Sequence, residues 1–352
     1  MTAQTTAATT TPSQGLEEQV RAQPERFRVL TGDRPTGPLH LGHYFGTLAN
    51  RVRLQRTGAE VFLVIADYQV ITDRESVGDI SGAVREVVLD YLAAGIDPSQ
   101  ATIFTHSAVP ALNQLVVPFL SLVSVAELGR NPTVKAEADA TRGRAMSGLL
   151  FTYPVHQAAD ILFCHGDLVP VGKDQLPHVE LTRLIARRFN ERYAAGATVF
   201  REPKPLLSAA PVLLGTDGTK MSKSRANAIA LRDGEDHTAA LLRKAKTDSV
   251  RTITYDPEHR PEVASLLLTA ALCTGRDPVD IADDLGDRGA AALKALVTEA
   301  VNEHLRPLRQ RRRELAADPS IVRYVLEEGN ARANHIADRT LRRVREVMDM
   351  AY

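Results

Sequence analysis

The sequence predicts an α/β protein, with a doubly wound parallel sheet covered by helices on both faces and then an all-helical C-terminal domain. Three observations carry this expectation. From Arg26 to about Leu214, short β-rich runs alternate with longer stretches of helical spacing. The β-rich runs are continuously apolar, as strands buried on both faces are. Beyond about Glu235 the strand signals vanish and helical spacing remains.

Taken in order, residues 1–24 are rich in Thr, Ala, Ser and Gln, with Glu17 and Glu18 near their end. They lack a basic start and an apolar core, so they read as a disordered tail and not as a signal peptide. The run 27–31 is the first strand and leads through a turn to a helix from about Leu41. The run 61–65 precedes a helical pattern over 77–94, and 101–104 precedes another from Ala111. The most apolar stretch, 115–128, is broken by Pro118, Ser121, Ser124 and Glu127 and is too short to span a bilayer. The run 168–171 leads to a helix beginning near Lys173. Residues 25–234 therefore form the sheet domain and 235–352 the helical one. In the latter, 239–242, 263–268, 289–316 and 320–350 have helical spacing. The last two carry Arg306, Arg309, Arg311, Arg312, Arg313, Arg342, Arg343 and Arg345. That row reads either as a solvated helix face or as a contact surface for phosphates.

At 352 residues the chain can bury a sizeable core in two domains. Its formal net charge is zero, so any polyanion must be held by local basic patches. Cys164 and Cys273 are the only cysteines, too few for a disulfide framework; a reducing cytosol, hence a cytoplasmic protein, is expected.

Two short segments carry the chemistry. The stretch from Thr31 to His43 (TGDRPTGPLHLGH) is a strand end, a glycine-punctuated loop and a helix start. The amide groups and positive pole of that helix favour an anion. Gly42 removes a side chain where a nucleoside could pack. His40 and His43 sit three apart, so both can face one phosphate as donors. They are also a potential metal pair, but without a nearby acidic third ligand they make a poor zinc set. The second segment, Lys220-Met221-Ser222-Lys223-Ser224, follows Gly215-Thr216-Asp217-Gly218-Thr219, a lead-in suited to a mobile loop. Lysines there can close over a leaving pyrophosphate and strengthen as its charge develops.

This pair of segments, in this order, resembles the two signatures of class I aminoacyl-tRNA synthetases. The resemblance narrows at Tyr153-Pro154-Val155-His156-Gln157-Ala158-Ala159-Asp160, at Val169-Pro170-Val171-Gly172-Lys173-Asp174-Gln175 and at Glu180-Leu181-Thr182-Arg183. These look like the tryptophanyl-tRNA synthetase family from about Arg28 onward. The resemblance implies a Rossmann-like catalytic domain and a helical tRNA (anticodon)-binding domain. It also implies ATP with Mg²⁺, L-tryptophan and tRNA(Trp) as ligands, and a homodimer. It places His40, His43, Lys220 and Lys223 in catalysis. ATP would be bound by Gly32, Arg34, Thr36, Gly42, Gly172, Asp174, Met221, Ser222 and Ser224, with Lys135 reaching the triphosphate. Asp160 would accept the indole N–H, and Tyr153 and Gln175 would hold the α-ammonium. Gln157, Gln69 and Val171 would line the tryptophan pocket, and no resident metal is expected.

A pocket built around one hydrogen bond rejects ligands lacking it far better than shape alone can. Phenylalanine would leave Asp160 unpaired. Arg34, Gln69 and Gln157 depart from the common bacterial pattern and resemble a second, auxiliary bacterial group of the family, some of whose members tolerate tryptophan-like inhibitors. The alternative readings are a tyrosyl-tRNA synthetase-like enzyme, a nucleotidyltransferase of small metabolism and a non-catalytic regulatory paralogue.

Overall fold

The computed structural model describes residues 12–72, 78–140, 145–207, 212–222 and 225–352. Five parallel strands form one sheet: β1 Arg28–Asp33, β2 Glu60–Ile65, β3 Ala101–Thr105, β4 Leu168–Val171 and β5 Lys204–Leu207, in the order β3-β2-β1-β4-β5. Val29 pairs with Val61 on one side and with Leu168 on the other. The winding reverses between β1 and β4, so a crevice opens beyond their carboxyl ends. Every residue of β3, and β2 from Val61 on, is buried, which explains the unbroken apolar run of β2 and the mainly apolar one of β3.

Where structure and sequence expectation differ, a local cause is visible. Strand β5 was not foreseen because it is four residues long and contains Pro205; at the sheet edge a proline is tolerated. The disordered-tail reading is corrected for Pro12–Ala22, which is helical. Leu16 and Val20, four apart on one helix face, are buried in the main core, and a polar composition hides so small an apolar stripe. Residues 1–11 lie outside the described residues. The helix expected from Ala111 is three short helices, Pro110–Gln114, Val116–Leu120 and Val125–Arg130. A capping box between Ser124 and Glu127 starts the third afresh. Among the described residues no helix is long and apolar enough to cross a membrane.

The helices Glu235–Arg243, Pro261–Thr274, Pro278–Leu285, Gly289–Ala316 and Pro319–Val347 make up the rest. Position 235 marks a change in secondary structure, but one apolar core runs across it. The Pro319–Val347 helix lies directly on β3. A Cβ at Gly329 would fall 1.8 Å from the Ile103 carbonyl oxygen, so glycine lets the two backbones touch. Thr340 donates to Phe163 O at 2.8 Å and Arg332 to Pro98 O at 2.6 Å. The arginine row is consequently not one phosphate surface. Arg309 is buried against Thr238 and Asn302, Arg311 donates to Ala93 O, and Arg345 donates to Gln114.

Arg312 has a larger part. It donates to Asp90 Oδ1 at 2.7 Å and to Glu86 Oε2 at 2.6 Å on the Ile80–Ala94 helix. Asp90 also accepts the Leu39 N–H at 2.8 Å, and Glu86 accepts from Arg232 at 2.6 Å. Burial pushes the Asp90 carboxyl up, opposed by Arg312 and the Leu39 amide. Two carboxylates thus fasten the loop before His40, the segment after the lysine loop and a C-terminal helix to one another.

Candidate active site between β1 and β4

A cavity of about 380 Å³ opens past the carboxyl ends of β1 and β4, within the size range of small-molecule sites. Its floor begins at Gly32, where a Cβ would lie 2.1 Å from Val64 O. Only glycine allows β1 to run this close to β2. Beneath it Arg51, 2% exposed, pairs with Asp33 and donates to Gly32 O at 2.9 Å. Tyr91 donates to Asp33 at 2.6 Å. Burial alone would raise the Asp33 carboxyl, but the Arg51 charge and hydrogen bond outweigh it and hold Asp33 well below the carboxylate range. Both charges are therefore fixed at neutral pH, and they stiffen the turn that carries Arg34 into the cavity wall.

His40 caps the short helix Leu41–His43, and its own N–H lies 3.3 Å from His43 Nδ1. The two rings are 3.7 Å apart, centre to centre. A π-helical turn, Tyr44–Leu48, follows and widens the backbone immediately after His43. His43, Gly42 and Thr47 face the cavity, while His40 is buried behind them.

The lysine segment reaches this place from the other side. His40 bridges Ala230, Leu41 N–H donates to Ile229 O at 3.0 Å, and Leu231 N–H donates to Leu39 O at 2.9 Å. A Cβ on Gly42 would sit 3.6 Å from Met221 Sδ. The lead-in is a tight turn with Gly218 at φ 81°. Asn227 clamps it, donating to Asp217 at 2.8 Å and to Lys220 O at 3.2 Å, and accepting the Ser222 N–H at 2.8 Å. Lys220 is exposed; Lys223 and Ser224 lie outside the described residues.

The other half of the cavity is built on the Gly148–Phe163 helix, where Tyr153, Gln157 and Asp160 share one face. Gln69 faces them from the turn Asp67–Ile71, and Val171, Gly172 and Gln175 close the wall after β4. The Tyr153 hydroxyl is 3.2 Å from His178 Nε2, and burial pushes that histidine down to about 4. Five of the expected ATP contacts stand outside the cavity lining: Thr36, Lys135, Asp174, Met221 and Ser222. Thr36 is turned into its own loop by an N–H bond to Arg34 O. Lys135 is exposed on the Pro132–Ala140 helix, where Thr133 lines the cavity instead. Asp174 leans on Gly172, its Oδ1 2.6 Å from where a Cβ would be.

Residues missed in the sequence lie beneath this half. His106, the first residue after β3, is fully buried, with Nε2 2.8 Å from Asp160 Oδ1. That separation is an ion-pair distance without hydrogen-bond alignment. His156 Nε2 is 2.8 Å from Asn113 Oδ1, and the His106 and His156 rings are 4.4 Å apart. Ligand atoms of His106, His156 and Asp160 lie within 4.8 Å of one another, so these three could collect a cation. A histidine at the carboxyl end of a strand was the available signal; nothing in the sequence marks Arg51 or Asp33 as a buried pair.

The family model for class I tRNA synthetases (W and Y) matches residues 22–306. The chain is 43% identical over 332 residues to the tryptophan–tRNA ligase of Treponema pallidum, covering 92% of this chain and 97% of that protein. It is 40% identical over 334 residues to the tryptophan–tRNA ligase of Clostridium longisporum, covering 92% and 97%. The structure of Campylobacter jejuni tryptophanyl-tRNA synthetase complexed with ADP and tryptophan superposes with a TM-score of 0.79 at 30% identity, covering 92% of this chain and 99% of that one.

Proposed function

The chain belongs to the class I tRNA synthetases of the tryptophan and tyrosine group, and from that premise we propose how its residues carry out the tryptophan–tRNA ligase reaction. Tryptophan enters with its indole toward Asp160 and its α-ammonium toward Tyr153 and Gln175. Its carboxylate attacks the α-phosphate of ATP, and pyrophosphate leaves in line. His43, backed by the adjacent tilted His40 ring, steadies the α-phosphate. Lys220 and Lys223 take up the charge that grows on the leaving group; such contacts, stronger in the transition state than before it, raise the rate. No side chain acts as covalent nucleophile. The adenylate then passes its acyl group to the terminal ribose of tRNA(Trp).

Mg²⁺ neutralises the triphosphate when it is bound. The carboxylates lining the cavity, Asp33 and Asp160, are engaged by Arg51 and His106. Neither carboxylate is left to hold the ion, which would come with the nucleotide and lower the charge on its phosphates. A second copy of the chain covers the helices over 110–130, where Val117 and Val125 are 72% and 75% exposed, and the enzyme works in the cytoplasm. The helices beyond residue 235, as a tRNA (anticodon)-binding region, face the nucleic acid with those arginines that the fold leaves exposed, Arg313 and Arg342 among them.

The observation that supports this reading best is the contact of Met221 with the Gly42 position, beside a cavity whose far end holds Asp160. It sets Met221 beside the histidine turn that lines the cavity, and this proximity supports a shared role on one triphosphate. The test is a single-turnover reaction of pure protein with ATP and tryptophan, followed by addition of tRNA(Trp). Adenylate and then aminoacyl-tRNA are expected. Tryptophan binding without adenylate would mark a regulatory paralogue instead.

A further inference from the structure

We propose that His106, held by the His156–Asn113 pair, is a specificity-determining positioning residue. It engages one oxygen of Asp160, so that the other is fixed toward the ligand's indole N–H. The inference rests on the reading of Asp160 given above and adds what makes that carboxylate selective.

The geometry can be followed from the backbone inward. Asn113 Nδ2 donates to the carbonyl oxygens of His106 at 2.9 Å and Val109 at 3.1 Å. With its amide nitrogen committed, Asn113 must present Oδ1 to His156 Nε2, 2.8 Å away. An acceptor there requires His156 to carry its hydrogen on Nε2. The His156 ring, tilted 39° and centred 4.4 Å from that of His106, packs against it. His106 in turn keeps Nε2 2.8 Å from Asp160 Oδ1. All three side chains are buried: 0% exposed for His106, 5% for His156 and 2% for Asp160.

A reason for such support follows from the ligand. An indole offers one N–H in one direction, and a hydrogen bond weakens steeply when misaligned. Around Asp160 the cavity wall is apolar, with Ile161, Val171 and Val64. Shape alone would accept any flat bicyclic ring. A carboxylate free to turn could satisfy itself elsewhere, and the penalty for a ligand lacking the N–H would shrink. Pinning one oxygen preserves that penalty.

The experiment compares tryptophan with β-(3-benzothienyl)alanine, in which sulfur replaces the indole N–H, by ATP–pyrophosphate exchange. The wild-type protein should prefer tryptophan by roughly 10- to 100-fold in kcat/KM. In His106→Phe, which keeps a ring and removes the nitrogen, the preference should fall to within about threefold of that in Asp160→Ala. The change should appear as a raised KM for tryptophan, with the analogue's KM unmoved. His106→Gln, which puts a polar group back beside Asp160 Oδ1, should recover most of the preference. His106→Met gives the same reading should the phenylalanine variant not fold. Equal loss for both substrates would mean a merely structural role and overturn the proposal, as would a wild-type preference retained in His106→Phe. A preference that changes once the protein has been stripped with EDTA, freed of the chelator and returned to Mg²⁺ would assign the cluster to a cation and also overturn it. Failure of the Asp160 reading looks different: the wild type would show no preference between the two substrates, or Asp160→Ala would keep the wild-type preference.

Discussion

Replacing Gly42 by alanine perturbs the contact between the two signature segments with the least chemistry. The added Cβ would lie 3.0 Å from His40 Cε1, 3.1 Å from His40 Nδ1 and 3.6 Å from Met221 Sδ. The last is ordinary contact; the first two are too close by a few tenths of an ångström. The His40 ring has little room to retreat, being 6% exposed and centred 3.7 Å from the His43 ring. Crowding of this kind costs about 1–3 kcal/mol. Alanine in a helix regains about 1 kcal/mol over glycine. Stability should therefore fall by no more than about 2 kcal/mol. The histidine pair, however, is displaced, and misplacing groups around a reacting phosphate is expensive, so tryptophan-dependent ATP–pyrophosphate exchange should slow roughly tenfold or more. Tryptophan affinity should change less than about twofold, because Asp160 lies in the other half of the cavity. The chain has no tryptophan of its own, so the ligand's fluorescence reports its binding directly. Exchange at the wild-type rate, or affinity lost in step with rate, would refute the reasoning.

Three further outcomes are expected. Lys220→Ala should lower the exchange rate by roughly 100-fold while leaving the tryptophan KM in place; a raised KM at unchanged turnover would contradict its role on the leaving group. Arg312→Met should destabilise the fold by about 3 kcal/mol, because it leaves Asp90 charged and buried. Urea unfolding should show part of this recovered when Asp90→Asn is added, and identical losses in both backgrounds would sink the idea. For pH, His178 is pushed down to about 4 in the folded protein, so the unfolded chain takes up its proton first. Its contribution is complete above the unfolded value and drains away as pH falls toward 4, up to roughly 3 kcal/mol in all. In His178→Asn the loss of stability between pH 6.5 and 4 should be shallower; parallel curves would dismiss the assignment.

What the sequence disclosed followed from patterns short enough to be local. Buried parallel strands have largely apolar runs, and β2 and β4 stand out most clearly for that reason. Gly42 and the histidines stand at a strand-to-helix turn, and Tyr153, Gln157 and Asp160 fall at helical spacing. What stayed hidden depends on partners distant in the chain. Gly329 looks like a weak point in a helix until β3 is seen against it. Arg312 reads as a solvated or phosphate-facing arginine until Asp90 is found beneath it. His156 sits beside the resembling residues but owes its orientation to Asn113, and His106 to both. Lys135, expected on a loop, stands exposed on the Pro132–Ala140 helix, and Thr133 two positions earlier lines the cavity.

The central claim is that one cleft joins the histidine turn, the lysine loop and an indole-reading carboxylate. Amino-acid-dependent exchange of pyrophosphate into ATP, run with each of the twenty amino acids in turn, tests it most directly. Tryptophan alone should support rapid exchange, with tyrosine and phenylalanine below roughly one-hundredth of its kcat/KM. Exchange driven equally well by tyrosine, or by no amino acid at all, would contradict the account.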